Sequence, residues 1–159
     1  MALVDVVALA PWGSVFFRLV RDNPEAFTAL PRAIHEGALR AYIEGASHVG
    51  LTPSQLETLM APSLEAAGQA AFYRQIAEAD QAYTDEIQGL YPRLDLPVLV
   101  VWGTNDSWIP VDRAHLLTEL IPEAQLELIE EAGHLVHFDQ PVQLATRLHR
   151  WLTSQTSMA

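Results

Sequence analysis

Hydrophobic positions form short continuous runs near the two ends of this chain and recur at helical spacing between them. Ala2 to Leu9, interrupted at Asp5, and Pro97 to Trp102 are short and valine-rich, the pattern of strands buried on both faces. Gln125 to Ile129 supplies a third strand. Between the first two, Pro11-Trp12-Gly13-Ser14 reads as a turn into a short helix over Val15 to Val20. Asn23 before Pro24 marks a helix start, and Arg32 to Ala46 places Ala33, Leu39, Tyr42 and Ile43 on an apolar face. Thr52, with Gln55 three residues on, predicts a capping box. Phe72, Ile76, Ala79, Tyr83 and Ile87 follow at intervals of four, three, four and four, which predicts one continuous helical face. Residues 12–89 therefore read as a helical insert, too small to own a separate core.

After a turn at Leu90 to Arg93, helices are predicted over Asp112 to Leu120 and Val142 to Leu152. Asp139 is expected to cap the closing helix with Pro141 in its first turn, and Thr153 to Ala159 to fray. Strands alternating with helices predict an α/β fold with about three parallel strands and flanking helices. Residues 1–159 read as one domain, since a compact chain of this size buries roughly 70% of its unfolded surface.

Composition narrows the function. Nine basic against twenty acidic residues give a formal charge of −11, which disfavours a surface that tracks nucleic-acid phosphates. The absence of cysteine removes disulfides, thiolate metal sites and a thiol nucleophile. No apolar run reaches the length of a membrane span and no signal-peptide pattern opens the chain, so a cytoplasmic protein without membrane contact is expected. No metal or nucleotide motif is present, and no cofactor is expected.

The candidate chemistry lies in the loops that leave the second and third strands. In an open parallel sheet the loops at the carboxyl ends of strands form the ligand crevice, and Asp106 and His134 both fall there. A carboxylate accepting from one imidazole nitrogen fixes the tautomer and leaves the other nitrogen free to take a proton from a hydroxyl. The competing readings are an Asx-type turn at Asn105-Asp106 and a packed imidazole at Gly133-His134. Asp5 is an alternative acid or a carboxylate bonding loop amides. Trp12, Phe16, Phe17, Trp102, Trp108 and His137 are candidate pocket residues, with packing as the alternative for the aromatics and a structural donor role for His137.

Leu96 to Pro110, with its Gly103-Thr104-Asn105-Asp106 turn, and Glu131 to Phe138, with Gly133-His134, resemble the carboxyl-terminal half of an α/β-hydrolase. The resemblance makes Asp106 the triad acid and His134 the triad base, the strand at Leu3 to Ala8 the sixth of the fold, and residues 12–89 its helical cap. The family carries its nucleophile on a Gly-x-Ser-x-Gly elbow ahead of the sixth strand. This sequence contains no such motif. The resemblance thus implies a fragment of a serine-type hydrolase acting on an ester or related small hydrophobic substrate, inactive alone. The competing expectations are a noncatalytic binding or assembly module and a truncated gene product. It also implies that the first strand lacks its usual neighbour, an edge open to a second copy or to a separate amino-terminal half.

Overall fold

Three strands, β1 (Ala2–Val4), β2 (Leu99–Gly103) and β3 (Gln125–Ile129), pair in parallel in that order in the computed structural model, which describes residues 1–156. Val4 lies opposite Val101, and Gly103 opposite Ile129. Six α-helices fall between β1 and β2 in the chain: α1 (Val15–Asp22), α2 (Pro24–Thr28), α3 (Arg32–Glu44), α4 (Pro53–Met60), α5 (Ala66–Ala77) and α6 (Ala82–Gln88). Then come α7 (Asp112–Leu120) between β2 and β3, and α8 (Val136–Asp139) and α9 (Pro141–Thr156) after β3. This is a partial α/β fold, as the alternation of strands and helices predicts. Among the described residues, no helix is long and apolar enough to cross a membrane.

The central strand is buried throughout, and its side chains alternate between two cores. Val98, Val100 and Trp102 pack with Ala114, Leu117 and Ile121 of the α7 region. Leu99 and Val101 pack with Ile129, Val136 and Trp151. Each such buried aliphatic side chain contributes about 1.5–3 kcal/mol.

The chain divides into two compact units. One comprises Met1–Ala10, Ala46–Gly50 and everything from Ala82 onward, and holds the sheet. The other comprises Pro11–Gly45 and Leu51–Gln81 and is helical. The helical unit has apolar clusters of its own, one around Val20, Tyr73 and Ile76 and one around Leu39, Leu56 and Met60. Helix α4 begins with the predicted box: Thr52 accepts from the Gln55 amide, and Gln55 Oε1 accepts from the Thr52 amide.

Several expectations are corrected. Strand β1 stops at Val4 and is only partly buried, because Asp5 takes a φ of +41° and turns the chain away. Instead of a strand over Ala2 to Leu9 buried on both faces, β1 is a three-residue edge that pairs only with β2 among the described residues. The stripe from Phe72 to Ile87 is broken between α5 and α6, leaving Tyr83 and Ile87 exposed. The break at residues 78–81 is about one helical turn long, so the apolar spacing runs through it unchanged. On α3, Ala33 is exposed and His35 is buried in its place. His35 donates from Nε2 to the Ser63 carbonyl at 2.7 Å, which leaves Nδ1 to accept from the Tyr73 hydroxyl at 3.0 Å. Finally, α9 continues to Thr156 where fraying was expected, while residues 157–159 lie outside the described residues.

Candidate functional site

The turn after β2 is built by backbone bonds to the loop after β3. The Thr104 amide donates to the Ile129 carbonyl at 3.0 Å, and the Asn105 amide to the Ala132 carbonyl at 2.9 Å. This close approach requires glycine at position 103, since a Cβ there would stand 2.5 Å from the Ala132 oxygen and 2.6 Å from the Gly133 oxygen. The tight contact brings the next two side chains together.

Asp106 does two jobs with its two oxygens. Oδ1 accepts from the amides of Trp108 at 2.8 Å and Ile109 at 2.9 Å, the Asx-turn arrangement. Oδ2 accepts from His134 Nδ1 at 2.9 Å. The turn reading and the pair reading are therefore both realised in one residue. The carboxylate side chain is fully enclosed and the imidazole keeps 19% exposure. Because Asp106 accepts at Nδ1, the neutral ring carries its lone pair on Nε2, which has no hydrogen-bond partner among the described residues. Trp108 lies beside the ring, centroids 5.0 Å apart and tilted by 30°.

Asp139 departs from its expected role. Instead of capping α9, its buried carboxylate accepts from the amides of Gly133 at 2.7 Å and His48 at 2.8 Å, and from the Ser47 hydroxyl. The Leu135 amide donates to the Ala46 carbonyl at 3.0 Å. Ala46–Gly50 is thereby tied to the loop that carries His134, with Gly133 too close to Ala46 and His48 to accept a side chain. Proximity in space to amides far away in sequence decides the matter, and local capping propensity loses.

Asp5 ends β1 under the same loops. Its Oδ1 accepts from the Gly103 amide at 2.9 Å, while Oδ2 is buried without a partner. Burial pushes this carboxyl up from 3.8 to about 7. The Gly103 bond opposes the rise, Asp106 and Asp139 add to it, and His134 opposes it. Of its two sequence readings, the loop-amide bond is the one present. Sequence reasoning could not find the missing Oδ2 partner, which depends on how the loops close over it.

The other candidates separate. Trp102 is corrected from pocket to core: it is buried against α7, and its indole donates to the Ile109 carbonyl at 3.0 Å, bracing the Asp106 turn. His137 is exposed and rests on Phe138, rings 4.6 Å apart, away from any bond to the pair. Trp12, Phe16 and Phe17 belong to the helical unit, where Trp12 meets Phe17 edge-on and Phe16 packs on Phe27 and Tyr42. Among the described residues no cluster of three or more His, Cys, Asp or Glu is placed to hold a metal.

The parallel α/β unit joins an acid and an imidazole at the carboxyl ends of neighbouring strands, and the sequence holds no Gly-x-Ser-x-Gly elbow. The pattern that defines the family described as alpha/beta hydrolase fold matches residues 9–141, and the chain belongs to that family. It superposes on the crystal structure of an alpha/beta hydrolase fold protein from Burkholderia ambifaria with a TM-score of 0.88 and 41% identity, covering 92% of this chain and 54% of that one. A thermophilic esterase from Thermogutta terrifontis shares the fold, with a TM-score of 0.68 and 23% identity over 96% of this chain and 55% of that one. Lipase 3 of Moraxella sp. is 32% identical over 59 residues, 35% of this chain and 19% of that protein. The chain thus spans about half the length of these solved structures.

Proposed function

We propose that this chain supplies the base and the acid of a serine-type hydrolase that cleaves an ester or a related small hydrophobic substrate. The single observation that carries this reading is the His134 Nδ1 to Asp106 Oδ2 bond, with Nε2 left free to accept a proton. In that role Nε2 takes the proton of a hydroxyl nucleophile and returns it to the leaving group, while Asp106 holds the ring and stabilises the imidazolium. Trp108, whose ring lies beside that of His134, is proposed to line the substrate site.

The nucleophile and the amides that would stabilise the oxyanion are proposed to come from another polypeptide segment, so these 159 residues alone turn over no ester. A panel of nitrophenyl esters checks this. The isolated chain and its His134→Ala variant are expected to give the same background rate, and fusion to a nucleophile-bearing hydrolase half is expected to restore turnover that His134→Ala abolishes. Brisk turnover by the isolated chain that vanishes in the variant rejects the claim of inactivity alone. A fusion that is active and indifferent to His134→Ala rejects the proposed role of the imidazole.

The sheet edge favours a second reading, that of an assembly module. Strand β1 pairs with β2 on one side and with no strand on the other among the described residues, and an open edge recruits another chain. A second copy or a separately encoded amino-terminal half is the proposed partner, and the cytoplasm the proposed location on the composition grounds given above. Light scattering across a dilution series is expected to show a self-associated species; a monodisperse monomer at every concentration removes the homo-oligomer.

A further inference from the structure

The helical unit contains a recess of about 340 Å³ whose lining includes neither Asp106 nor His134. Its lining comes from two stretches, Trp12, Gly13, Phe17, Arg18 and Arg21 on one side and Ala79 to Gln81 on the other. The Trp12 amide donates to Gln81 Oε1 at 3.0 Å and ties the two stretches together. Gly13, at a φ of +90°, makes the turn that sends the chain into α1. On α1, Phe17 and Arg21 are four residues apart and Arg18 and Arg21 three, so the ring and both guanidinium groups stand on one face. Trp12 meets Phe17 edge to face, centroids 6.5 Å apart, and the two rings form one aromatic wall.

The charge at this recess runs against the rest of the molecule. With twenty acidic residues to nine basic ones, an arginine here has many carboxylates to choose from. Arg32, Arg40, Arg113, Arg147 and Arg150 each reach one. Among the described residues, Arg18 and Arg21, like Arg74 and Arg93, have no carboxylate within ion-pair distance, and only Arg18 and Arg21 share one recess. Asp80 is the one acid in the lining, which leaves the recess with an excess of one positive charge. Guanidinium groups that fold without a partner are available for a bidentate carboxylate.

We infer that this recess binds a small planar organic carboxylate, its ring against Trp12 and Phe17 and its carboxylate on Arg18 and Arg21. A cation is repelled by the same two arginines. A bare inorganic anion uses the charge and wastes the aromatic wall, so the two features together select an aromatic acid. The site is read by binding and lies within the helical unit, so it stands or falls separately from the proposed proton relay.

Titration calorimetry on the whole chain tests it with three probes: 1-naphthoate, the neutral 1-naphthalenemethanol and inorganic phosphate. Saturable one-to-one binding of 1-naphthoate is expected, about tenfold tighter than that of either other probe. The Arg18→Gln/Arg21→Gln double variant is expected to weaken 1-naphthoate by about tenfold and leave the alcohol unchanged. Both arginines are solvent-facing, so this variant should fold, and an unchanged circular-dichroism melt confirms that it has. Arg40→Gln, which removes an arginine already paired with Glu36, is expected to have no effect on binding. Absence of saturable 1-naphthoate binding overturns the proposal. So does equal affinity for the alcohol or for phosphate, or binding that the double variant leaves intact.

Discussion

Replacing Gly103 with alanine is expected to destabilise the sheet unit by about 3 kcal/mol, at the upper end of overpacking costs. The added Cβ would stand 2.5 Å from the Ala132 oxygen and 2.6 Å from the Gly133 oxygen. Neither oxygen can give way easily. The Ala132 carbonyl accepts the Asn105 amide, and Gly133 is held by Asp139 through its own amide. Gly103 is fixed as well, donating to Asp5 and accepting from the Asp106 amide at 3.2 Å. Relief therefore has to come from moving the His134 loop away from the end of β2, which also breaks the bond between His134 and Asp106. Thermal melting combined with the low-field proton signal of His134 Nδ1 measures both effects. A variant that melts with the wild-type chain and keeps that signal would show the contact to be softer than its geometry.

The second large effect is a dependence on pH set by Asp5. Its carboxyl is raised from 3.8 to about 7 in the folded chain, chiefly by burial. Between about pH 4 and pH 7 the folded state therefore holds a proton that the unfolded state has released. Stability contributed by this group is whole below about pH 4, falls as pH rises, and is lost above about pH 7. Asp5→Asn keeps an oxygen for the Gly103 amide and removes the ionisation. The variant is expected to gain on the wild-type chain steadily across that window, by an amount on the order of a few kcal/mol at pH 8 compared with pH 4. Asp106, Asp139 and His134 face the same group and remain in both proteins, so the difference between the two melting curves isolates Asp5. Curves that stay parallel from pH 4 to pH 8 would place this carboxylate in better-solvated surroundings than its burial implies.

What the sequence reveals follows the range of the interaction concerned. β2, β3, α7 and the Thr52 box are legible because each is dictated by residues a few positions apart: an apolar run, a helical period, a cap and its reply. The juxtaposition of Asp106 and His134 is legible for a related reason, since parallel strands in sequence order place both loops at one end of the sheet. The roles of Asp5, Asp139 and Trp102 are not legible. Asp139 answers amides 91 and 6 residues away, and Asp5 one that is 98 away; no local pattern announces such partners. Trp102 reads as a pocket residue by its place beside the turn, yet strand alternation sends it to the α7 core with Val98 and Val100. The division between α5 and α6 is hidden for a geometric reason, because an interruption one helical turn long preserves the apolar period. The double service of Asp106, to the turn and to the histidine, becomes visible only in its hydrogen bonds.

The five residues Ala46–Gly50 interrupt the helical unit and belong to the sheet unit, where Ser47 and His48 bond to Asp139 and Ala46 to Leu135. The helices on either side of them are consequently not a detachable cassette. A recombination event, natural or engineered, that exchanges Pro11 to Gln81 between relatives also exchanges the donors on which Asp139 depends, and only grafts that bring matching donors leave the His134 loop intact. Variation across these five positions is coupled to Leu135 and Asp139.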